Sequence, residues 1–334
     1  MKEFDLSICI PTFNRSKHLL VFLNKLAELD DGILNRIEVR IFDNNSTDNT
    51  QQIIEGFKNI FNVTHKKQEK NIGGTLNVID IMQNCKGYYI WILGDDDQIK
   101  IEEFEDFFNQ FIFKTKKRTW YFVGFETDNQ ISPFDFGSIC SFYNKNNLKK
   151  TINKFGLNFS GFLGSHIFPS SSVDELKTID DLKTNCWPHI TLFLKSNDCY
   201  VFSDKSLSIK SGDLEWSSLA WYIALLSQIL CYEKSNFTFS IKIWLMIKLV
   251  FSITYNKYLI YTHISSKFNL WQTNLEIIQL MKIANYKSTK TVLVFPLILN
   301  NILAFIPNEF LIKLFSIEPH STKIISNEAN NRKL

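Results

Sequence analysis

One stretch constrains this chain more than any other: Tyr88–Leu93 (YYIWIL), an unbroken apolar, aromatic and β-branched run that stops at Gly94-Asp95-Asp96-Asp97. The run has the length and composition of a buried strand. Two carboxylates about 4 Å apart repel by roughly 4 kcal/mol at an effective dielectric near 20. Three in a row at the mouth of a buried strand therefore need either a wet turn that caps the next helix or a compensating cation. Hard carboxylate oxygens select Mg²⁺ or Mn²⁺, ions that commonly bind substrate phosphates as well.

Upstream, strand and helix patterns alternate. Leu6–Pro11 is a buried-strand run expected to stop at the proline, and Lys17–Leu29 carries Leu19, Leu20, Phe22, Leu23 and Leu26 at helical spacing. Ile37–Phe42 is a second strand. Ser46 or Thr47 is the expected cap of a helix carrying Ile53, Ile54 and Phe57. Asn62–Lys67 is a weak third strand, followed by Asn71-Ile72-Gly73-Gly74 and a helix over about 75–83. After the acidic triplet come a helix with Ile101, Phe104, Phe107, Phe108 and Phe111 on one face and a strand at Trp120–Phe125. The order predicts an α/β fold, a Rossmann-like, mostly parallel sheet flanked by helices on both faces. Such sheets bind ligands at the carboxyl ends of their strands. Thr12–Arg15, Asp43–Asp48, Asn71–Gly74 and Asp95–Asp97 all fall at those ends and describe a single site. Asp43 is placed there either as part of a capped turn or to accept a hydrogen bond from a nucleobase or ribose. Asn71 and Gly73 form either a plain turn or a close backbone approach to a ligand.

Taken in order, Ile8-Cys9-Ile10-Pro11-Thr12-Phe13-Asn14-Arg15, Phe42-Asp43-Asn44-Asn45-Ser46-Thr47-Asp48, Asn71-Ile72-Gly73 and Gly94-Asp95-Asp96-Asp97 resemble the family-2 glycosyltransferases of GT-A fold. The Leu-Gly-Asp-Asp-Asp version is similar to the bacterial abequosyltransferase-like enzymes of O-antigen assembly. The resemblance covers about residues 5–130 well and 131–215 loosely. It implies a nucleotide-sugar donor held by Pro11, Thr12, Asn14, Arg15, Asp43, Asn71, Gly73, Asp95 and Asp96. Thr12 and Asp43 would take the base and ribose. Asp95 would face the ribose and the metal, and Asp97 would ligate the Mn²⁺ or Mg²⁺ that neutralises the diphosphate. The implied reaction is a single displacement with inversion, which requires one general base on the acceptor hydroxyl.

Many relatives carry a Glu-Asp pair at the start of an acceptor-side helix. Here that place reads Cys186-Trp187-Pro188-His189. His189 is the candidate base, since an imidazole titrates near neutrality; a lone His at a helix start is otherwise a cap or a surface residue. Asp213 and Glu215 are the rival carboxylates, and His166 is a further acceptor-side residue. Residues 130–215 also suggest strands at Gly164–Phe168, Cys199–Phe202 and Leu207–Lys210 and a helix over Ile190–Lys195.

The last third has another character. Residues 231–334 hold 12 basic and 5 acidic side chains, against 25 and 29 in residues 1–230. The whole-chain charge of +3 is too small to argue for a nucleic-acid partner. The division expected is a GT-A donor and acceptor domain over 1–215 and a helical, basic and apolar accessory region over 216–334. Trp216–Tyr232 and Thr291–Asn308 are uncharged runs of 17 and 18 residues, at the lower limit of about 17–25 for a bilayer span. Buried helices of a bundle, or helices lying on an anionic membrane with Lys242, Lys248, Lys257 and Lys267 toward the lipid, fit better.

Six cysteines without a CxxC pair exclude a zinc ribbon and a thioredoxin-like site. The N-terminus has no apolar signal stretch, so the chain is expected in the cytoplasm, peripheral at the inner face of the plasma membrane, with a polyprenyl-diphosphate-linked glycan as a fitting acceptor. Three other readings compete. A sugar-phosphate nucleotidyltransferase would carry a Gly- and Lys-rich loop near residue 12, where Pro11–Arg15 stands. A non-catalytic membrane-associated scaffold is opposed by the intact acidic triplet. Dinucleotide redox chemistry is opposed by the lack of GxGxxG after the first strand.

Overall fold

The computed structural model describes residues 3–112, 118–127, 130–131, 142–143, 162–174, 187–196, 199–210, 226–233, 235 and 237–254, with scattered positions up to 296. It divides into two compact units, one of Met1–Lys183 with Trp187–Asp213 and the other of Thr184–Cys186 with Leu214–Leu334.

The first unit is built on one mixed sheet. β1 (Phe4–Thr12), β2 (Ile37–Asp43), β3 (Val63–Lys67) and β4 (Gly87–Ile92) are mutually parallel in the order β3-β2-β1-β4. β1 runs one residue past Pro11, which was expected to end it. Pairing with β4 stops at Cys9–Ile92, so β4 does not call on the N–H that Pro11 lacks. The connecting helices are α1 (Ser16–Leu26), the short α2 (Asp31–Leu34), α3 (Thr50–Phe57) and α4 (Gly74–Gln83). Leu19, Phe22, Leu23 and Leu26 make the buried stripe of α1 at helical spacing. Neither Ser46 nor Thr47 caps α3: the N-cap is Asn49, and Asp48 just before it holds the first turn, its Oδ1 accepting from Thr50 N at 3.1 Å and Thr50 Oγ1 at 2.6 Å.

Beyond β4 the sheet continues through β9 (His166–Pro169), β6 (Thr119–Thr127) and β10 (Cys199–Lys210) to β5 (Asp97–Ile99); β7 (Gln130–Ile131) and β8 (Phe142–Tyr143) pair with β6 and β10. β9 is antiparallel to β4 and β6 and wedges between them, so the sheet is mostly rather than wholly parallel. β10 is one strand where two were expected. Its polar centre, Ser203–Ser206, is absorbed as register shifts between Phe202 and Ser208. The short β5 begins within the acidic triplet itself, and α5 (Ile101–Phe107) follows, continuing as a π-helical turn over Phe108–Ile112.

Strand alternation fills both faces. Leu6, Ile8, Ile10, Val39, Ile41, Trp91, Tyr121 and Val123 join α1 and α5 in one core, with Trp91 stacked on Phe104 at 5.3 Å. On the other face Trp120 stacks on Phe168 at 4.7 Å and meets Phe193 of α7 (Pro188–Lys195); α6 (Ser171–Asp174) precedes it. The same face buries Glu38, which accepts from Ser7 Oγ, Lys86 N, Gly87 N and Arg40 Nη1 at the start of β4. Sγ of Cys9 lies 3.3 Å from Sγ of Cys85 nearby.

In the second unit, residues 226–233 form a buried helix, α8, and α9 spans Phe239–Thr254. Leu245, Met246 and Leu249 of α9 are buried, whereas Phe239 and Ile247 are exposed. Among the described residues no helix is long and apolar enough to cross a membrane.

Candidate active site

The parallel strands β1, β2, β3 and β4 end on one edge, and four loops leave them there. Asn14 adopts a left-handed conformation (φ 54°), as does Asn45 (φ 71°), in keeping with the tolerance of Asn for that region. The two turns lock together. Asn14 N donates to Ser46 Oγ at 2.8 Å, Thr47 N donates to Asn14 Oδ1 at 2.8 Å, and Ser16 N donates to Asp48 Oδ2 at 2.9 Å. Asn44 fastens the third loop: its Nδ2 donates to Asn71 Oδ1 at 2.9 Å and its Oδ1 accepts from Ile72 N at 2.8 Å. Gly73 then enters α4 at φ 83° and ψ 155°, a region essentially closed to residues with a Cβ.

The acidic turn closes against the first loop. Thr12 Oγ1 donates to Asp95 Oδ2 at 2.6 Å. Arg15 Nη1 donates to Asp95 Oδ1 at 3.0 Å and lies 2.9 Å from Asp96 Oδ2. Asp97 Oδ2 accepts from Gly94 N at 2.8 Å, which tightens the turn. Asp95 and Asp97 are each only 4% exposed. Burial pushes the Asp95 carboxyl above its ordinary value. Hydrogen bonds from Thr12 and Arg15 and the charge of Arg15 act against that rise, and Asp96 adds to it.

Asp43 is fully buried at the centre of this corner. Its Oδ1 accepts from Ser46 N at 2.7 Å, while Oδ2 has no hydrogen-bond partner among the described residues. A buried carboxylate oxygen without a donor is costly and marks a place where a ligand N–H or O–H would be welcome.

Thr12, Asn14, Arg15, Asp43, Asn71, Gly73, Asp95, Asp96 and Asp97 thus occupy the strand ends and neighbouring loops of one edge, with Pro11 in β1 beside them. His189 stands apart in kind. It is 2% exposed in the first turn of α7, its ring edge-on to His166 at 4.8 Å and to Trp187 at 5.9 Å. His166 Nδ1 in turn accepts from Trp120 Nε1 at 3.1 Å. Asp213 and Glu215 lie outside the described residues. Sequence reasoning missed Asn44 as the strut between two loops; its place beside Asp43 in a polar turn was the available signal.

Among the described residues no group of three or more His, Cys, Asp or Glu side chains is gathered to hold a metal ion. The donors on this edge are nonetheless hard carboxylate oxygens, the chemistry that suits Mg²⁺ or Mn²⁺. In the structure the cation facing Asp95 and Asp96 is Arg15.

Comparison with known proteins meets this corner. The chain is 34% identical over 96 residues to the abequosyltransferase RfbV of Salmonella typhimurium, a match spanning 28% of each protein. It is 32% identical over 101 residues to the poly(ribitol-phosphate) beta-N-acetylglucosaminyltransferase TarS of Staphylococcus aureus, covering 30% of this chain and 18% of TarS. Both matches therefore span under a third of the relative's length. The fold follows the crystal structure of S. aureus TarS 1-349 with a TM-score of 0.62 at 17% identity, over 90% of this chain and 87% of that one. TarS 1-349 has also been solved with UDP-GlcNAc. The mannosyltransferase PcManGT from Pyrobaculum calidifontis, in complex with GDP-Man and Mn²⁺, shares the fold with a TM-score of 0.53 at 11% identity, over 94% of this chain and 88% of that one. The α/β GT-A architecture expected from the sequence is the one observed. The sequence profile described as Glycosyl transferase family 2 matches residues 7–171, the stretch that supplies all four loops, and the chain belongs to that family.

Proposed function

We propose that this protein is an inverting glycosyltransferase that moves a sugar from a nucleotide-sugar donor to a hydroxyl of a growing cell-surface glycan, of the O-antigen, lipopolysaccharide or capsule type. The observation that carries the reading is the corner where the buried, half-satisfied Asp43 meets the Thr12–Asp95–Arg15 cluster. Asp43 Oδ2 suits a base or ribose donor group, and the backbone at Gly73 admits close approach of the donor. The complexes of TarS with UDP-GlcNAc and of PcManGT with GDP-Man support a nucleotide-sugar as the ligand class. The loop after β1, built around Arg15 rather than a run of Gly and Lys, disfavours the nucleotidyltransferase alternative.

Asp97 and Asp95 would hold a divalent ion, which when bound would offset the charge of the departing diphosphate. Arg15, which touches Asp95 and Asp96, is placed to serve the phosphates. The acceptor oxygen attacks the anomeric carbon, the bond to the nucleoside diphosphate breaks, and a base takes the hydroxyl proton. Asp213 and His189 are the two candidates. The burial of His189 among aromatic rings favours Asp213, because a base at His189 requires those rings to part.

The basic second unit supports peripheral contact with anionic lipid. α9 carries Lys242 and Lys248 and no acidic residue, and it leaves Phe239 and Ile247 exposed. A cytoplasmic-face site and a polyprenyl-diphosphate-linked acceptor agree with that contact.

Incubation with a panel of UDP-, GDP- and CDP-sugars and lipid-linked acceptors, followed by mass spectrometry, tests the proposal. One donor is expected to yield a glycosylated acceptor with inverted anomeric configuration. Asp213→Asn is expected to lose turnover at unchanged donor affinity. Release of pyrophosphate from a nucleoside triphosphate in place of sugar transfer would overturn it.

A further inference from the structure

Arg15 is delivered to the acidic turn by a built device. Asn14 is fixed in its left-handed conformation by Ser46 Oγ on its amide and Thr47 N on its side chain, and α1 starts immediately afterwards with Ser16 N on Asp48. Arg15 is therefore the one residue between a pinned turn and a pinned helix start. From there a single guanidinium nitrogen meets two successive carboxylates, Asp95 at 3.0 Å and Asp96 at 2.9 Å. The Arg15 side chain is 23% exposed, as Asp96 is at 24%, whereas Asp95 is nearly closed off at 5%. Arg15 thus sits at the rim of the cluster with a way out to solvent, and Asp95 sits at its base.

We infer that Arg15 is an exchangeable counter-cation, a positioning residue that neutralises Asp95 and Asp96 while the donor site is empty and yields Asp95 to a divalent ion when a nucleoside diphosphate arrives. This rests on the proposed donor and metal reading and adds the order of events. A guanidinium and a divalent ion compete for the Asp95 carboxylate, so metal alone binds weakly. A diphosphate gives Arg15 a new anionic partner, since guanidinium pairs with phosphate as readily as with carboxylate. Nucleotide therefore raises metal affinity, and by linkage metal raises nucleotide affinity by the same factor.

The test is Mn²⁺ binding followed by the electron paramagnetic resonance signal of the free ion, a readout independent of turnover. It is done with and without UDP, CDP or GDP, on the full chain and on Arg15→Gln and Arg15→Lys, with circular dichroism melts to confirm folding. Removing a full charge a few ångströms from the ligands is expected to tighten nucleotide-free Mn²⁺ binding by about tenfold or more in Arg15→Gln. The enhancement by nucleotide is expected to shrink correspondingly. Arg15→Lys, which keeps the charge without the planar fork, is expected between the two. Nucleotide-enhanced Mn²⁺ binding in the unaltered protein, with an unchanged or weaker nucleotide-free affinity in folded Arg15→Gln, would overturn the counter-cation role alone. No Mn²⁺ binding by the unaltered protein with any nucleotide would overturn the metal reading and this inference together.

Discussion

Thr12 donates its hydroxyl to Asp95 across 2.6 Å, joining the end of β1 to the turn after β4 over 83 residues of sequence. Thr12→Val keeps the shape and removes the donor, leaving one oxygen of a nearly buried carboxylate unpaired. A loss of about 1–3 kcal/mol in unfolding free energy is expected, read as a lower urea midpoint at unchanged slope. Thr12→Ser is expected to retain most of it.

Gly94 opens the acidic turn, and a Cβ there would fall 2.7 Å from Asp96 Oδ1 and 3.2 Å from Asp97 Oδ2. Gly94→Ala therefore has to push at least one carboxylate aside. We expect about a tenfold or greater loss of metal-dependent nucleotide affinity by calorimetry, following from displaced charged ligands, with the far-ultraviolet circular dichroism spectrum unchanged.

Glu38 gathers four donors at the opposite end of the sheet, and its partner Arg40 is almost as buried. Removing one member of such a pair strands the other. Glu38→Ala is expected to cost about 3–5 kcal/mol of stability, and the folded fraction is expected to bind nucleotide as before. A stability loss below about 1 kcal/mol would show that Arg40 is readily rehydrated.

Asp48 gives the acid limb. Burial is the largest single influence and raises its carboxyl, but the hydrogen bonds from Thr50 and Ser16 together outweigh it, lowering it from the ordinary 3.8 to about 2. Because its folded value is depressed, the unfolded chain binds the proton first. The stabilisation is complete above the ordinary value and is lost as pH falls toward about 2. Thermal melts of Asp48→Asn across that window are expected to lose the part of the pH slope that the native protein shows there, and to be unchanged from it in relative slope at neutral pH.

Much of the site was legible because β1, β2 and β4 are so plainly strands that the residues following them had to share an edge. Asp43 and Asp95–Asp97 were located by that logic, and Asn71 by the weaker pattern of β3. Three things were hidden. The antiparallel entry of β9 and the single bulged β10 depend on long-range pairing that local patterns do not carry. Asp48, rather than Ser46 or Thr47, holds the start of α3 because those two side chains are spent on Asn14, contacts between loops 32 and 33 residues apart. Arg15 read as one more polar residue of a donor loop, since nothing in its own neighbourhood shows that it bridges two carboxylates 80 positions later. For His189, a helix start after proline was readable, whereas its enclosure by His166 and Trp187 required the fold.

The central claim is that the corner formed by Asp43, Asn71 and the Asp95–Asp97 turn binds a nucleoside diphosphate together with a divalent ion. Titration calorimetry of UDP, CDP and GDP with and without Mn²⁺, on the native protein and on Asp97→Asn, tests it most directly. One nucleotide is expected to bind at least about tenfold more tightly with Mn²⁺, and Asp97→Asn is expected to abolish that gain while melting at a similar temperature. Equal nucleotide affinity in both proteins with and without Mn²⁺, or no binding of any of the three, would contradict it.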